Sequence, residues 1–251
     1  RIAHRFGDFF NQWQFNNAWA DFIGLESAAD VGFGVEYGIT NNLMVGLHRT
    51  KGANQLNSLV HGLAKYKILA QTTDNKMPLT LTAAATATVV TAPSSADLTA
   101  IASFPDGFGQ RWLYSVQLIA GRKFGNRFSM QISPTFIWRN LVDYYDTNFL
   151  VSTGVSAKVQ ITKVFGLIVD ATIPFDVQRL NGGADVPGAR PYHIPLGIGF
   201  EFDTGGHVFQ VNLTNARGIE PVDYIPNSSS NWADGQFRIG FAIARAFRLT
   251  R

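Results

Sequence analysis

Five histidines are the side chains of widest chemical range in this sequence: His4, His48, His61, His193 and His207. Two of them, His48 and His61, fall on adjacent predicted strands, and Asn57 and Ser58 precede His61 closely. A serine beside a histidine that an amide or acid orients can act as a nucleophile, as in lipid hydrolases at a membrane rim. No glycine-rich nucleophile turn accompanies these residues, so the hydrolase hypothesis receives little support from the sequence.

Motifs for metals and cofactors are weaker still. His48 and His61 could share a metal with a carboxylate, but no HxH or HExxH spacing supports such a site. The chain has no cysteine, which excludes disulfides, thiolate metal sites and cysteine nucleophiles. Glycines near residues 32–38 and 197–199 alternate with bulky residues, which is typical of crowded strands and not of nucleotide loops. We therefore expect no enzymatic activity, no metal and no cofactor.

Composition narrows the class of protein. The 251 residues are 46% hydrophobic and 13% aromatic but only 16% charged, below the roughly 25% usual in soluble domains. The mean hydropathy is only +0.03, and no run of about 18 apolar residues predicts a membrane helix. The net charge is only +3, and the sequence contains no cluster of basic residues. We therefore expect no nucleic-acid partner. The chain starts at Arg1 without a signal peptide, and we treat it as the mature part of an exported protein.

Alternation with a period of two recurs along the chain. Between Phe128 and Arg139 large apolar residues occupy the even positions, and Ser129, Gln131 and Ser133 occupy the odd ones. The stretch 149–162 repeats the pattern with valine and alanine against serine, lysine and glutamine. Because successive side chains of a strand point to opposite faces, this order predicts β-strands with one large apolar face and one small or polar face.

Two architectures fit such strands: a transmembrane barrel and a soluble sandwich or lipocalin-like barrel. The predicted strands are long, at up to 13 residues, which suits a tilted membrane crossing better than a globular sheet. Aromatic residues such as Trp112, Phe128 and Tyr192 lie near strand ends, where membrane barrels carry interfacial girdles. The sequence thus predicts an all-β, antiparallel, up-and-down transmembrane barrel with its apolar face toward lipid.

Connection lengths support this fold and give it an orientation. Short turns alternate with long polar connections at about 11–27, 50–58, 93–110, 139–149, 176–191 and 217–235, as periplasmic turns and extracellular loops do. Residues 1–251 form one predicted domain whose termini lie on the periplasmic side. The alternation around 1–10 is poor, so ten strands remain an alternative to twelve. The twelve predicted segments are 1–10, 28–38, 43–50, 58–70, 79–92, 110–124, 127–139, 149–162, 164–175, 192–204, 206–216 and 235–248.

Three stretches also carry a family resemblance. They are HRFGDFF at 4–10, VEYGITNNLMVGLHRT at 35–50 and AKYKILAQT at 64–72. With them the chain resembles a family of uncharacterised outer-membrane β-barrels of unknown function from the Bacteroidota. The resemblance implies an outer-membrane location and a barrel fold, and it assigns no functional residue.

The predicted lumen face carries charges of both signs on different strands. The candidate lumen-lining residues, for selectivity or for a salt-bridge network, are Glu36, His48, His61, Lys65, Lys158, Asp170, Glu201 and Arg238. Further inward charged or polar residues are Asp30, Lys67, Arg111, Gln117 and Arg139. Buried charges need partners, so these residues either rigidify a filled barrel or line a hydrated passage. Barrels of about twelve strands lie in size between small barrels filled by side chains and large barrels with a water-filled channel. The number of strands therefore does not distinguish a filled lumen from a hydrated one.

Three functional hypotheses remain open. The first is a narrow channel for small polar solutes, selected by the mixed charges of the lumen. The second is a plugged structural barrel that serves as a subunit or anchor of an outer-membrane complex. The third and weakest is a lipid-modifying enzyme. Outer-membrane lipid is the expected partner in each case, with other outer-membrane or periplasmic proteins as further candidates.

Overall fold

Twelve antiparallel strands form a closed barrel in the computed structural model, which describes residues 1–8, 25–53, 56–93, 107–142, 146–176, 179 and 191–247. The strands are β1 Ile2–Phe6, β2 Ala28–Gly38, β3 Leu43–Thr50, β4 Leu59–Leu69, β5 Thr80–Val90, β6 Trp112–Phe124, β7 Phe128–Arg139, β8 Phe149–Gln160, β9 Phe165–Pro174, β10 Leu196–Asp203, β11 His207–Thr214 and β12 Arg238–Arg245. Short helical turns occupy Phe108–Arg111, Pro221–Tyr224 and Trp232–Asp234. The predicted fold class is confirmed.

The first strand closes the barrel. Each strand pairs with the next one along the chain, and β1 pairs with β12 from Ile2↔Ile243 to Arg5↔Gly240. This settles the strand number at twelve. The first strand is shorter than the predicted 1–10, and its residue Ile2 lies opposite Phe33 in the middle of β2.

Most of the other predicted bounds agree with the observed ones to within a few residues. The largest differences are at β10, which begins at Leu196 instead of 192, and at β12, which is limited to Arg238–Arg245. Before β10 the backbone carbonyl of Pro195 still accepts a hydrogen bond from Thr172. Proline has no N–H to donate to a ladder, so the regular pairing begins after it.

The two ends of the barrel differ in their connections. Five short turns, at 39–42, 70–79, 125–127, 161–164 and 204–206, form what we call the short-turn end. Three of these turns contain a left-handed residue: glycine supplies it in two, with φ of 67° at Gly125 and 80° at Gly205, and Asn75 supplies it in the turn 70–79 with φ of 57°. The longer connections, including 7–27 and 215–237, leave from the opposite, long-loop end.

The outer face is apolar around most of its circumference. Val35 is 75% exposed, Phe33 65% and Leu47 63%, while their neighbours Gly34 and His48 turn inward. Aromatic pairs lie at strand ends, among them Phe124–Phe128 at the short-turn end with ring centroids 5.6 Å apart. An apolar belt of this kind is stable in hydrocarbon, and closure leaves no unpaired strand edge there. No helix within the described residues has the length and apolarity of a membrane span.

Two neighbouring residues of β6 test the assignment of the faces. Val116 points outward and is 51% exposed, whereas Gln117 points inward and donates a hydrogen bond to Thr135 over 3.1 Å. We expect Val116→Lys to lower the free energy of unfolding in lipid vesicles by about 2–4 kcal/mol, because the ammonium group would meet hydrocarbon. The matched variant Gln117→Lys should lose only about 1 kcal/mol, the worth of one hydrogen bond. Urea-unfolding equilibria measure both, and equal losses would contradict the assignment.

Candidate functional site

The connection between β11 and β12 folds into the lumen. We call residues 215–237 the inward segment. Its helical turn Pro221–Tyr224 places Val222 and Ile225 in the interior, each only 1% exposed. They pack against an apolar cluster supplied by five consecutive wall strands, β4 to β8: Leu59, Val90, Leu113, Ile137 and Leu150. The segment therefore reaches across the lumen from β11 and β12 to the opposite wall.

Buried carboxylates fix the inward segment on the side of β2 and β3. Asp30 is fully buried, and its two oxygens accept hydrogen bonds from the backbone N–H groups of Gly52 and Ile219, both at 2.9 Å. Asp223 of the segment accepts one from the N–H of Ala53 at 3.0 Å. These bonds join the segment to the β3–β4 connection.

A second set of bonds fixes the segment near its own strands. The Asn215 side chain accepts from the N–H of Leu196 at 2.7 Å and donates to the carbonyls of Ile194 and Ser230. Arg238, which is fully buried, donates to the carbonyl of Asn215 and pairs with Asp8. The segment is thus held at both of its ends and in its middle.

Tyr192 anchors the middle of the segment from the β9–β10 connection. Its hydroxyl donates to the carbonyl of Ile225 over 2.8 Å. Burial raises the pKa of Tyr192 above that of an ordinary tyrosine, because a phenolate would lose its hydration there. The group therefore stays a hydrogen-bond donor throughout the physiological pH range.

The sequence analysis placed 217–235 among the external loops, and its inward fold was missed. The reason is physical: nothing in a polar, glycine- and proline-containing stretch specifies which side of the wall it packs on. One clue was available, because Ile219, Val222 and Ile225 recur every three residues. That spacing is typical of one face of a helical turn and not of an extended loop.

Below the inward segment lies a polar chamber of about 880 Å³. Its lining runs from Glu220 and Tyr224 of the segment to Gln71 and Lys123 at the short-turn end. Much of the wall carries hydroxyl groups, from Thr80, Thr82, Thr86, Ser129, Ser133 and Ser156. Hydroxyl groups both donate and accept hydrogen bonds, so the chamber is suited to water and to hydrated solutes.

A first group of charges lies where the segment meets the wall. His48 Nε2 lies 3.2 Å from Glu36 of β2, and His48 Nδ1 lies 3.5 Å from Glu220 of the segment. The ammonium group of Lys65 is 3.7 Å from the other oxygen of Glu36. A side chain at Gly34 would overlap the His48 ring, so this glycine makes the arrangement possible. The cluster balances two carboxylates against lysine and histidine.

A second group of charges spans three strands on another part of the wall. Lys158 of β8 forms an ion pair with Glu201 of β10, and Gln210 of β11 donates to the same carboxylate over 2.8 Å. Strand β9 lies between β8 and β10 and carries Gly166 beside Lys158. A Cβ atom at residue 166 would lie 3.0 Å from Lys158 Cε. A glycine on β9 therefore allows the lysine to reach across to its partner.

The eight candidate residues do not all reach the chamber. Six line it, and Glu201 joins it through Lys158. Arg238 lies elsewhere, buried at the long-loop end with Asn215 and Asp8. The six that line the chamber are Glu36, His48, His61, Lys65, Lys158 and Asp170. Alternation on the strands placed them inward, whereas Glu220 had no such signal because it lies in a connection.

The hydrolase constellation considered from the sequence has a different geometry. His61 points inward, and its two ring nitrogens lie 2.9 Å from Thr50 Oγ1 and 2.8 Å from Thr88 Oγ1. Ser58 instead accepts a hydrogen bond from the guanidinium group of Arg49 over 2.5 Å. The serine and the histidine are therefore engaged with different partners. The described residues contain no group of three His, Asp or Glu side chains arranged to hold a metal.

A buried ion-pair network at the long-loop end supports the inward segment from above. Asp146 pairs with Arg139 at 2.9 Å and with Arg179 at 2.7 Å. Arg179 also pairs with Asp176 and donates from Nε to the carbonyl of Pro226 in the segment, at 3.2 Å. Burial alone would raise the pKa of Asp146, but the two guanidinium groups outweigh it and hold that pKa below its ordinary value.

The architecture and the apolar outer belt define a membrane β-barrel. A family model described as "Membrane bound beta barrel domain (DUF5777)" matches residues 1–247, and the chain belongs to this family. No curated protein matches the chain significantly.

Several solved structures are similar to the chain at low identity. Outer membrane phospholipase A from Escherichia coli is 12% identical, with 98% of this chain and 88% of that chain covered and a TM-score of 0.49. The outer membrane channel DcaP of Acinetobacter baumannii is 11% identical over 85% of this chain and 60% of that chain, with a TM-score of 0.35. A mutant of the Rh. blastica porin is 11% identical over 85% of this chain and 54% of that chain, with a TM-score of 0.34.

The network around Asp146 predicts a pH-dependent contribution to stability. We expect Asp146→Asn to lower the free energy of unfolding by about 1.5–3 kcal/mol at neutral pH, since hydrogen bonds to charged groups are worth that much. Because folding depresses the pKa of Asp146, its contribution is complete above the unfolded value of about 3.9 and is lost as the pH falls through the folded value.

The measurement is urea unfolding in vesicles between about pH 2.5 and 7 for both proteins. The two curves should converge at the acid end. Asp203→Asn, at the exposed end of β10 where the carboxylate accepts only a backbone hydrogen bond among the described residues, is the matched control and should change little. A constant difference at every pH would mean that the charge of Asp146 is irrelevant.

Proposed function

We propose that the chain is a narrow outer-membrane pathway for small polar solutes, in a Gram-negative bacterium as its resemblance to Bacteroidota barrels implies. The observation that carries the proposal is the chamber of about 880 Å³ with its hydroxyl-rich wall. A barrel that served only as a rigid scaffold could fill this space with apolar side chains at no cost in hydration. A polar space inside the lumen is instead suited to solutes that keep part of their water.

The charges of the chamber support a pathway and not a tight binding site. Glu36 is paired with His48 and Lys65, and Glu201 with Lys158. Because each of these charges already has a partner of opposite sign, it does not require direct contact with a solute. A passing solute can therefore keep its water. Conduction requires such weak, distributed contacts, because a solute that binds strongly does not leave.

The inward segment acts in this proposal as the constriction. Its Glu220, Pro221 and Tyr224 form the chamber surface that faces the long-loop end. Val222 and Ile225 then fill the space beyond it. In the described conformation a solute entering from the short-turn end meets this segment, so passage requires the segment to move away from the wall of β4 to β8.

A second candidate is a plugged barrel that anchors or forms part of an outer-membrane complex. The apolar cluster and the bonds from Asp30, Asn215 and Tyr192 favour it, because they hold the segment firmly in place. In that case outer-membrane lipid and other outer-membrane or periplasmic proteins are the partners. For neither candidate do we propose a catalytic residue or a cofactor.

Weakening the apolar cluster distinguishes the two candidates. The double variant Val222→Ser, Ile225→Ser removes two buried side chains that each contribute about 1.5–3 kcal/mol by burial. We expect the wild-type protein to show small, infrequent openings in planar bilayers and the variant to show openings that are at least about tenfold more frequent, since about 1.4 kcal/mol changes an equilibrium tenfold.

The control carries the same chemical changes away from the lumen. Ile161→Ser with Val164→Ser replaces one isoleucine and one valine in the exposed β8–β9 turn and should conduct like the wild type. Silence of both the wild type and the cluster variant, with correct folding, would refute the channel and leave the plugged barrel.

A further inference from the structure

Charge is distributed unevenly between the two ends of the barrel. Among the described residues, the short-turn end carries seven cationic side chains: Lys67, Lys76, Arg122, Lys123, Arg127, Lys163 and Arg245. The same described residues include two carboxylates at this end, Asp74 and Asp203. We call the seven residues the cationic collar. Within the described part of the chain, only Lys76 of the collar forms an ion pair, with Asp74 of the same turn at 3.5 Å.

The opposite end has no such excess. Its described residues include eight cations and eight carboxylates: Arg5, Arg49, Lys51, Arg111, Arg139, Arg179, Arg217 and Arg238, with Asp8, Glu26, Asp30, Asp146, Asp176, Glu220, Asp223 and Asp234. The net charge of +3 therefore conceals a cationic short-turn end and, among the described residues, a neutral long-loop end.

The collar continues into the chamber. Lys123 belongs both to the collar and to the chamber lining, and it points inward in phase with Gln117. Arg122 has the outward phase of Val116, and its guanidinium group lies over the ring of Phe124, 5.0 Å from the centroid. Deeper inside, cations and carboxylates are similar in number, so their charges nearly cancel: Arg1, Lys65 and Lys158 against Glu36, Asp170, Glu201 and Glu220. A solute approaching from the short-turn end thus meets uncompensated positive charge first and balanced charge afterwards.

The walls of the entrance strengthen this field. The chamber is enclosed by a barrel whose outer face is apolar. A cleft lined with charge of one sign between walls of low dielectric constant focuses the potential and raises the local concentration of the opposite ion. Groups on the outside of the same protein are screened over about 10 Å at 0.1 M salt.

We propose that the chamber admits small anions in preference to cations and that Lys123 is the residue that sets this preference at the entrance. The ligand class is a small hydrated anion such as a carboxylate or a phosphate. The inference rests on the proposed function as far as passage is concerned, whereas entry into the chamber is measurable without passage. The carboxylates deeper inside do not oppose entry, because the cations of the lining nearly balance their charge.

The absence of cysteine in the sequence makes a direct measurement possible. Thr82→Cys places one thiol in the chamber wall on β5, opposite Ile119 of β6. The thiol is labelled in nonionic detergent with an anionic sulfonatoethyl and a cationic trimethylammonioethyl methanethiosulfonate. Each rate is divided by the rate of the same reagent with 2-mercaptoethanol, which removes the intrinsic reactivity. We expect the anionic reagent to be favoured by about five- to tenfold at low salt, as a local potential of about one kT produces.

Charge reversal identifies the residue responsible. In the same cysteine background, Lys123→Glu should abolish the preference or reverse it. The matched control Lys163→Glu makes the same change in net charge at a turn residue outside the chamber lining, and it should reduce the preference by less than about twofold. In 1 M salt, where the screening length is about 3 Å, the preference should disappear in every protein.

Two results would overturn the proposal. One is a ratio near one in the wild-type background, and the other is an equal effect of the two charge reversals, which would indicate net charge alone.

Labelling is repeated in vesicles that contain anionic phospholipid. Loss of the preference there would mean that lipid phosphates occupy the collar, which also contradicts entry of free anions.

A bilayer recording separates this inference from the proposed function. If the Val222→Ser, Ile225→Ser protein conducts under a salt gradient, its reversal potential should indicate anion preference. Conduction with cation preference would refute the inference and leave the channel intact. Preferential anionic labelling without any conductance would retain the anion-accepting chamber and refute the channel.

Discussion

Closure of the backbone ladder underlies the division of this barrel into a lipid face and a lumen face. In hydrocarbon an unpaired N–H or C=O group costs several kcal/mol, so every strand needs two neighbours. The short β1 supplies the last pairing through its contacts with β12 and β2. Once the ring is closed, side chains divide between lipid and lumen by alternation alone. The apolar outer belt and the polar inner wall are consequences of that division.

The lumen has an apolar, packed part and a polar, open part along its length. Toward the long-loop end it is packed as a small protein core, with Val222 and Ile225 against aliphatic residues of the wall. Toward the short-turn end it is a polar chamber, in which charged residues lie in balanced groups. The boundary is formed by Glu220 and Tyr224 of the inward segment. One connection between two strands therefore decides how much of the lumen solvent can occupy.

Glycine has a specific role in these groups of charges. Gly34 leaves room for the His48 ring between two carboxylates, and Gly166 lets Lys158 cross β9 to Glu201. In both places the residue opposite or between the charged groups has to lack a side chain. Glycine alternates with bulky residues in the sequence because, in the lumen, these glycines leave room for charged side chains of neighbouring strands. The alternation itself does not indicate which charged side chains these are.

The sequence by itself determined the strand pattern, the outward and inward faces and the alternation of short and long connections, because a period of two depends only on local geometry. Six of the residues that alternation placed on the inward face line the chamber. The pairing of β1 with β12, the binding of Arg238 at the long-loop end and the filling of the lumen by 215–237 appear only in the folded barrel. These features depend on contacts between residues far apart in the chain, such as Asp30 with Ile219. No periodicity records such contacts, since a connection with apolar and polar residues can pack on either side of the wall.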